Sequence, residues 1–434
     1  MCSSSEATSR ETDVELSSFE STLLTSSTST KNRHRVLDPS LCIKKYRRSA
    51  AGGGVSTYDD SSTTRSTDDL LQTVRHVVYN IFCRRRLAGK FDFRQHNHTL
   101  CVVSGFASDR LRGVSVDVVQ NQYANAAVQT LEDLERTFEI LSLMIRYHIV
   151  AGYLCCEAIQ SKFQKRFNDQ ACMSSLTMLF GCFRGMLAQN SNSVPDHQHQ
   201  LKRKVDEFLC YAALRHLCSV VCDDAGNGGG FLDVGDGYTA ILSLFSDVDD
   251  EEDFPKLMFA LEVVKNVMGQ NLNKVWRLLE GDDGAWGVLC RCCLAPALPT
   301  LRAGILERMN KAYGPKNVGI DVSHVGACLS MNNGEEAVEF CKSVGLEINN
   351  NIDESIEGGL GALNIGGISK SEGKVIFKAV ANLNVGKEYL NRGKRDDAFV
   401  VGGVGVKEGC EVDADGVQDW PSDFIWAVIS LPVE

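Results

Sequence analysis

The chain has 434 residues, enough to bury one large core or two moderate ones. Apolar residues make up 44% and charged residues 23%, which is ordinary for a globular protein, and a net charge of −11 excludes a uniformly basic nucleic-acid-binding surface. The 17 cysteines come without a secretory signal at Met1 and without an apolar run long enough to span a bilayer, so we expect reduced thiols in the cytosol or nucleus and no membrane partner.

The N-terminal segment 1–66 is predicted to be disordered. Ser and Thr crowd residues 17–30, and the few apolar side chains there are not expected to offset the entropy lost on ordering. A basic island at 31–48 lies inside this tail. Two interpretations of the island carry equal weight: a nucleic-acid-binding or nuclear-localisation segment, and a solvated charge run. On the first interpretation the contacts to RNA or DNA come from Lys44, Lys45, Arg47 and Arg48.

A domain of serial helices is predicted from 67 to 314. Asp68 and Asp69 suit a helix start, and apolar residues recur at helical spacing from Leu70 to Ile81. The strongest period, from Leu131 to Tyr153, predicts one long core helix. Further helices are expected near 170–188, 198–222, 236–246, 254–269, 271–280 and 297–312. Such helices with short polar joints predict a mainly α fold of stacked helix pairs, arranged as a solenoid.

The pattern of predicted elements changes after Pro315 from serial helices to short strands and helices. Short strands are expected at 318–320, 344–348 and 374–378, and helices at 321–329 and 334–341. This order is typical of a winged helix, which we assign to 315–385 with the Gly-rich stretch 358–367 as an expanded wing. The remaining 386–434 is a C-terminal tail without an assigned fold, in which 420–429 is a candidate final short element.

The most informative stretch is 106–122, where charged and amide side chains recur at a point predicted to turn from loop into helix. Its signature residues are Phe106, Asp109, Arg110, Arg112, Asp117 and Gln120. They could form a functional surface. Alternatively they form a half-buried network of ion pairs that fixes a helix entry, with Asp117 near the helix N-terminus. The structural interpretation is favoured because buried charges are normally paired.

No set of residues indicates catalysis or a bound metal. Cys290, Cys292 and Cys293 include a C-x-x-C spacing but lack the second pair that would complete a tetrahedral zinc site. Cys341 has no evident base, and His148, inside an apolar helix, is interpreted as a core histidine bonded to backbone. We therefore expect no enzymatic activity, no resident metal and no cofactor.

The stretch 106–122 resembles the signature of the Sac-three/GANP family, a branch of the PCI-type helical scaffolds. Other stretches resemble that family in the same order, over residues 35 to 380: Lys45–Gly52, Leu131–His148, Phe259–Leu279, Arg302–Tyr313 and Ala337–Leu346. The chain departs from the pattern where Gly113-Val-Ser115 replaces a second arginine cluster. It also lacks the Phe-Gly repeats and the long C-terminal extension of the large nuclear-pore members.

The resemblance implies a TPR-like or PCI solenoid followed by a winged helix, acting as a non-catalytic scaffold. The implied role is to couple transcription to nuclear mRNA export in a TREX-two-like complex, in the nucleus and in association with the nuclear pore. The implied partners are another PCI-type subunit and a small acidic stabilising subunit. Two alternatives stay open: a centrosome duplication or spindle assembly factor, suggested by the short architecture, and an RNA-binding PCI module.

Overall fold

A computed structural model describes most of the helical part of the chain. The described residues are 65–83, 100–125, 127–156, 163–190, 195–227, 254–280, 285–313, 319–331 and 334–349, with shorter pieces at 8, 17, 19–23, 35–38, 41–44, 158, 374–376, 411–412, 418–419 and 429. The fold is mainly helical, as predicted. The chain forms two compact units, 1–208 with 406–434, and 209–405. This division differs from the predicted boundaries at 66, 314 and 385.

The first unit is built around one long buried helix. Its helices are α1 (Thr67–Arg75), α2 (Leu100–Gln120), α3 (Leu131–Leu154), α4 (Lys165–Gln189) and α5 (Pro195–Asn227), the last of which continues into the second unit. Ser66 and Thr130 cap α1 and α3 by accepting the backbone N–H three residues ahead, at 3.2 Å in both cases. Helix α3 packs along α4 and against α1, so it forms the centre of this unit.

A π-helical segment extends α1 from His76 to Phe82. Val77, Val78, Ile81 and Phe82 are all buried in it. The predicted run of apolar residues from Leu70 to Ile81 is therefore helical throughout, with a change of helical pitch in its second half.

The N-terminal segment contributes a hairpin to the first unit. Strands β1 (Ser21–Leu23) and β2 (Arg35–Leu37) pair antiparallel, with Thr22 opposite Val36. Phe19, Cys42 and Ile43, which flank the hairpin, are almost completely buried. The prediction of disorder is wrong for these described residues, because a few apolar side chains and one buried carboxylate tie them to the helices. The rest of 1–64, except residue 8 and a few neighbours of the hairpin, lies outside the described residues.

The described part of the second unit contains four helices between residues 255 and 313. They are α6 (Pro255–Met268), α7 (Leu272–Glu280), α8 (Ala285–Leu294) and α9 (Leu298–Tyr313), with a 3₁₀ turn at Ala295–Ala297. Helices α6, α7 and α9 confirm the predicted periodicity. Helix α8 was not among the predicted helices. The helix predicted near 198–222 continues to Asn227 as α5, and the predicted helix at 236–246 lies outside the described residues.

The second unit also contains a three-stranded sheet. Strand β3 (Gly319–Asp321), α10 (Val322–Cys328), α11 (Gly334–Ser343), β4 (Glu347–Asn349) and β5 (Lys374–Ile376) follow in that order. Strand β5 lies between β3 and β4 and is antiparallel to both, so Ile320, Val375 and Ile348 share one register. Arg302 Nε donates to the carbonyl of Leu329 at 2.8 Å, and this bond fixes the end of α10 to α9.

Two helical stretches of the described chain are long and apolar enough to cross a membrane by length and composition, although none was expected from the sequence. They are Lys165–Gln189, which is α4, and Trp286–Tyr313 in the second unit. Within the apolar 18-residue window of each stretch, 83% is buried in the second, which is typical of the core of a globular protein, and 39% is buried in α4. One or two such helices are weak evidence for a membrane span.

The C-terminal tail contributes few described residues. Strands β6 (Glu411–Val412) and β7 (Gln418–Asp419) pair antiparallel. Ile429 is fully buried, and its carbonyl accepts a hydrogen bond from Arg146 Nη1 at 3.3 Å. Of the predicted docking element at 420–429, the structure thus describes one anchored residue.

Candidate functional site: the buried ion pairs around α2

The signature residues lie inside α2 and not at its beginning. The helix starts at Leu100, so the predicted loop-to-helix transition at 106–122 is wrong. Asp117 lies in the last turn of α2, where the helix dipole disfavours a carboxylate and the expected stabilisation by an N-terminus does not apply. Arg110 and Asp117 are two turns apart and are both buried on one side of the helix. Each therefore needs a partner of opposite charge.

Arg110 is paired with a carboxylate from the N-terminal hairpin. Its Nε and Nη2 donate to the two carboxylate oxygens of Glu20 at 3.2 and 2.8 Å, and Glu20 is fully buried. The guanidinium carbon lies 4.4 Å from the centroid of the Phe106 ring, and that ring packs against Phe19 at 4.7 Å. The fork-shaped contact with Glu20 is the strong form of this ion pair. Because Glu20 also accepts the backbone N–H of Ile43 at 3.0 Å, this contact holds both ends of the hairpin segment.

Asp117 lies between two cations from different segments. Lys44 Nζ donates to its Oδ1 at 2.9 Å, and Arg65 Nε donates to its Oδ2 at 2.7 Å. The three side chains are at most 10% exposed. We call Glu20, Lys44, Arg65, Arg110 and Asp117 the signature cluster. The cluster joins the N-terminal hairpin and Arg65, which lies two residues before α1, to a single face of α2.

The other signature residues do not join this buried face. Phe106 is half-buried under Arg110, and Asp109 is about one-third exposed and pairs with Arg110 Nη1. Arg112 and Gln120 are exposed on the outer side of α2. The structural interpretation of the signature thus fits Arg110 and Asp117, whereas Arg112 and Gln120 are placed where a partner could reach them.

Lys44 requires a correction. We predicted it as a nucleic-acid contact within the basic island. Its ammonium is instead buried against Asp117, so it does not face a phosphate. Lys45, Arg47 and Arg48 lie outside the described residues. The polar sequence around Lys44 suggested that its side chain is exposed. Its burial could not be seen there, because its partner Asp117 is 73 residues away in the chain.

A second buried ion pair lies in α3. Arg146 is 1% exposed, and its Nε and Nη2 donate to the two oxygens of Glu207, both at 2.8 Å. Its guanidinium carbon also lies 5.5 Å from the ring centroid of Phe208. We did not single out this arginine in the sequence. The signal was present, because a charge within the apolar run of α3 must be paired if the run is buried.

Two phenol groups near the cluster are also structural. Burial, and then the carboxylates of Asp133 and Asp117, raise the pKa of Tyr123, whose hydroxyl donates to the carbonyl of Arg65 at 2.8 Å. Burial likewise raises the pKa of Tyr147, whose hydroxyl donates to the carbonyl of Ser104 at 2.9 Å. Both hydroxyls therefore stay protonated at neutral pH and act as hydrogen-bond donors that fix the backbone.

The candidate metal and core residues can also be placed. Cys290, Cys292 and Cys293 are buried in α8, with Cys290 Sγ 3.6 Å from Cys210 Sγ. In the part of the chain that the structure describes, no group of three or more His, Cys, Asp or Glu side chains is placed to hold a metal ion. His148 is buried as predicted, and its Nδ1 contacts Oδ1 of Asn168 at 2.8 Å.

The model of the SAC3/GANP family matches residues 1–350 of the chain. No curated protein matches the sequence of the chain. The matched range begins at residue 1 and so includes Glu20, whereas the resemblance seen in the sequence begins at 35. The range ends next to β4, after the two helices α10 and α11.

Proposed function

Because the chain belongs to the SAC3/GANP family, we propose that it is a non-catalytic scaffold subunit that couples transcription to nuclear mRNA export. It acts within a TREX-two-like complex in the nucleus, in association with the nuclear pore. Its partners are another PCI-type subunit and a small acidic stabilising subunit. The family match over 350 of the 434 residues is the observation that carries this proposal.

The signature cluster supports a scaffold role. Its charged groups are used to hold segments of the chain together, and Glu20, Arg110 and Asp117 are all at most 3% exposed. Buried ion pairs favour one arrangement of the chain, since a shift that separates the partners would leave a charge unpaired. This use of charge suits a protein that must present fixed surfaces to several partners.

In the second unit, the proposed docking element is the β3–α10–α11–β4–β5 segment. We interpret it as a winged helix that packs against the corresponding part of a PCI-type subunit, and the helices before it as part of a TPR-like solenoid. The strand order β3-β5-β4 and the two helices between β3 and β4 favour this interpretation. The sheet is small, and α10 contacts both β3 and β5, so it presents α11 and the strand edges as one surface.

The exposed side of α11 favours a protein partner over a nucleic acid at this surface. In winged helices that bind duplex DNA, the second helix of the unit enters the major groove. Here Glu335, Glu336 and Glu339 are exposed on that helix, and their charge would repel phosphates. Together with the buried Lys44, this acidic surface does not favour the alternative of an RNA-binding PCI module.

The proposal is tested by purifying the tagged full-length chain from cells and identifying what accompanies it. The expected result is a PCI-type subunit together with a small acidic subunit, and a nuclear-rim or nucleoplasmic signal for the tagged protein. Recovery of spindle proteins with discrete mitotic pole foci would instead support the centrosomal alternative. Binding to RNA with neither subunit present would support the RNA-binding alternative.

A pair of variants separates the structural from the surface residues of the signature. Arg110→Met leaves Glu20 buried without its cation, so we expect a lower melting temperature and loss of the purified complex. Arg112→Ala changes an exposed residue and should keep the melting temperature. If Arg112→Ala loses the partner subunits at an unchanged melting temperature, the outer side of α2 contacts a partner directly.

A further inference from the structure

Helix α10 carries an imidazole and a thiol side by side on its surface. His324 Nε2 lies 3.9 Å from Cys328 Sγ, and the two residues are four positions apart, so their side chains lie on the same side of the helix. His324 is exposed and Cys328 is half-buried. An ion in solvent can therefore approach this pair, unlike the thiol pair of Cys210 and Cys290, whose residues are at most 1% exposed.

The distance between the two atoms is close to the distance between two ligands of one metal ion. A tetrahedral zinc site has bonds of about 2.3 Å to sulfur and about 2.0–2.1 Å to nitrogen, which places the two donor atoms about 3.5 Å apart. The observed 3.9 Å exceeds this separation by about 0.4 Å. A small rotation of the exposed His324 side chain is enough to close that difference.

The end of α10 that carries Cys328 is held in place by two other helices. The carbonyl of Cys328 accepts a hydrogen bond from Trp276 Nε1 of α7 at 3.3 Å. The carbonyl of the next residue, Leu329, accepts the bond from Arg302 Nε of α9 at 2.8 Å. The backbone at the thiol is therefore fixed before any ligand binds. Two ligands on such a fixed element lose less conformational freedom on binding an ion than ligands on a loop would.

The chemistry of the two groups selects the class of metal. A thiolate and an imidazole are ligands of Zn²⁺ and related first-row ions, whereas Mg²⁺ and Ca²⁺ take oxygen ligands. No third His, Cys, Asp or Glu side chain of the described residues joins the pair, so water fills the other positions around an ion in the isolated protein. Burial raises the pKa of the Cys328 thiol, so the ion must displace a firmly held proton into solvent, which lowers its apparent affinity.

We propose that His324 and Cys328 form a surface site for one Zn²⁺ ion, bound through Nε2 and Sγ. The site goes beyond the proposed scaffold function and does not depend on it. A hydrogen bond between the thiol and the imidazole would also bring the two atoms together, although 3.9 Å is long for such a bond. The two explanations differ in one measurable property, because only the metal site holds the sulfur as a thiolate that is bound to an ion.

The first test uses Co²⁺ as the probe, because Co²⁺ replaces Zn²⁺ at such sites and its bond to a thiolate absorbs in the near ultraviolet. The untagged full-length chain is reduced, freed of metal and titrated with Co²⁺. We expect a saturable thiolate-to-cobalt band that Zn²⁺ removes by displacement. Cys328→Ser should remove the band, and His324→Gln should weaken Co²⁺ binding about tenfold or more. Cys156→Ser, at another half-buried cysteine, is the matched control and should keep the band. A band of full size in Cys328→Ser, or no band in the unchanged chain, overturns the proposal.

The second test locates the bound ion in the sequence by alkylation. Saturating Zn²⁺ should slow the reaction of Cys328 with iodoacetamide about tenfold or more, as measured by peptide mass spectrometry, because a metal-bound thiolate is not free to react. His324→Gln should remove most of this protection, and Mg²⁺ should give none. Labelling of Cys156 should be the same with and without Zn²⁺. Equal labelling rates of Cys328 with and without Zn²⁺ contradict the proposed site.

The His324 variant keeps the tests decisive if Cys328→Ser disturbs the fold. His324 is exposed, so His324→Gln should keep the melting temperature, as measured by circular dichroism. If folded His324→Gln binds Co²⁺ and protects Cys328 as well as the unchanged chain does, the imidazole is not a ligand and the proposal is wrong. The scaffold role stands in that case, because it is tested separately by the subunits that accompany the tagged chain.

Discussion

Helices α3 and α4 pack along each other, yet polar side chains are buried in α3 and large apolar side chains are exposed in α4. In α3 every residue from Ile140 to Ala151 is buried, including Arg146 and His148. In α4 the apolar Phe167 and Met173 are exposed. The polarity of a side chain therefore does not decide its burial in this unit. What decides it is whether a partner is present, since Glu207 and Asn168 supply partners for the polar groups of α3.

The largest effect is expected from removing the buried charge of α3. Arg146→Met should lower the free energy of unfolding by about 3–5 kcal/mol, because Glu207 would stay buried without its cation. Chemical denaturation of the full-length chain measures this loss. The double variant Arg146→Met with Glu207→Leu is the control and should recover most of the stability. A double variant as unstable as the single one would show that packing, and not the unpaired carboxylate, determines the loss.

A second pair of variants compares the two sides of α4. Leu179 is fully buried, so Leu179→Ala should cost about 2–5 kcal/mol of unfolding free energy through lost burial and the cavity that remains. Met173→Ala removes a side chain of similar size from an exposed position of the same helix. It should change the free energy of unfolding by less than about 0.5 kcal/mol. Thermal unfolding of both variants measures the difference. Equal losses would mean that Met173 is covered within the folded chain.

A third prediction concerns the close approach of α3 and α4. A Cβ at Gly152 would lie 2.9 Å from Asn168 Nδ2, the atom that donates to the carbonyl of His148. Gly152→Ala should therefore lower the free energy of unfolding by about 1–3 kcal/mol, as overpacking displaces Asn168.

Gly105 in α2 supplies the matched control, because a Cβ there meets nothing within 4 Å. Since alanine is the better helix former, Gly105→Ala should raise stability by about 0.5–1 kcal/mol. Opposite signs for the two substitutions would establish the steric cause, whereas a loss at both positions would contradict it.

The helices of this fold could largely be predicted from the sequence. Helices α1, α3, α6, α7 and α9 follow from the apolar residues that recur at helical spacing along each of them. The N-terminal hairpin could not be predicted, since its strands are three residues long and the few apolar residues beside it lie in a segment rich in Ser and Thr. Its order depends on Glu20, whose partner Arg110 lies 90 residues away. Local periodicity carries no information about such a contact.

The candidate site was predictable only in part. Resemblance to a family pointed to Arg110 and Asp117, and the rule that buried charges are paired predicted an ion-pair network. The identity of the partners could not be derived, because Lys44 and Arg65 come from segments 73 and 52 residues away from Asp117. The position of Asp117 was also wrong, because the pattern of charges in 106–122 does not mark where a helix begins.

The smallest effect on stability, and the most direct comparison of the two sides of α4, comes from thiol labelling. Cys182 lies on the buried side, and burial raises the pKa of its thiol to about 12. The thiol introduced by Met173→Cys lies on the exposed side of α4 and should keep an ordinary pKa. At pH 8 it therefore forms far more of the reactive thiolate than Cys182 does. We expect iodoacetamide to modify position 173 within minutes and Cys182 only on unfolding, as measured by peptide mass spectrometry. Equal rates at the two positions would mean that α4 opens as a whole in the native protein. Slow labelling at position 173 that becomes fast when the partner complex is dissociated would show that a partner covers the exposed side of α4 in that complex.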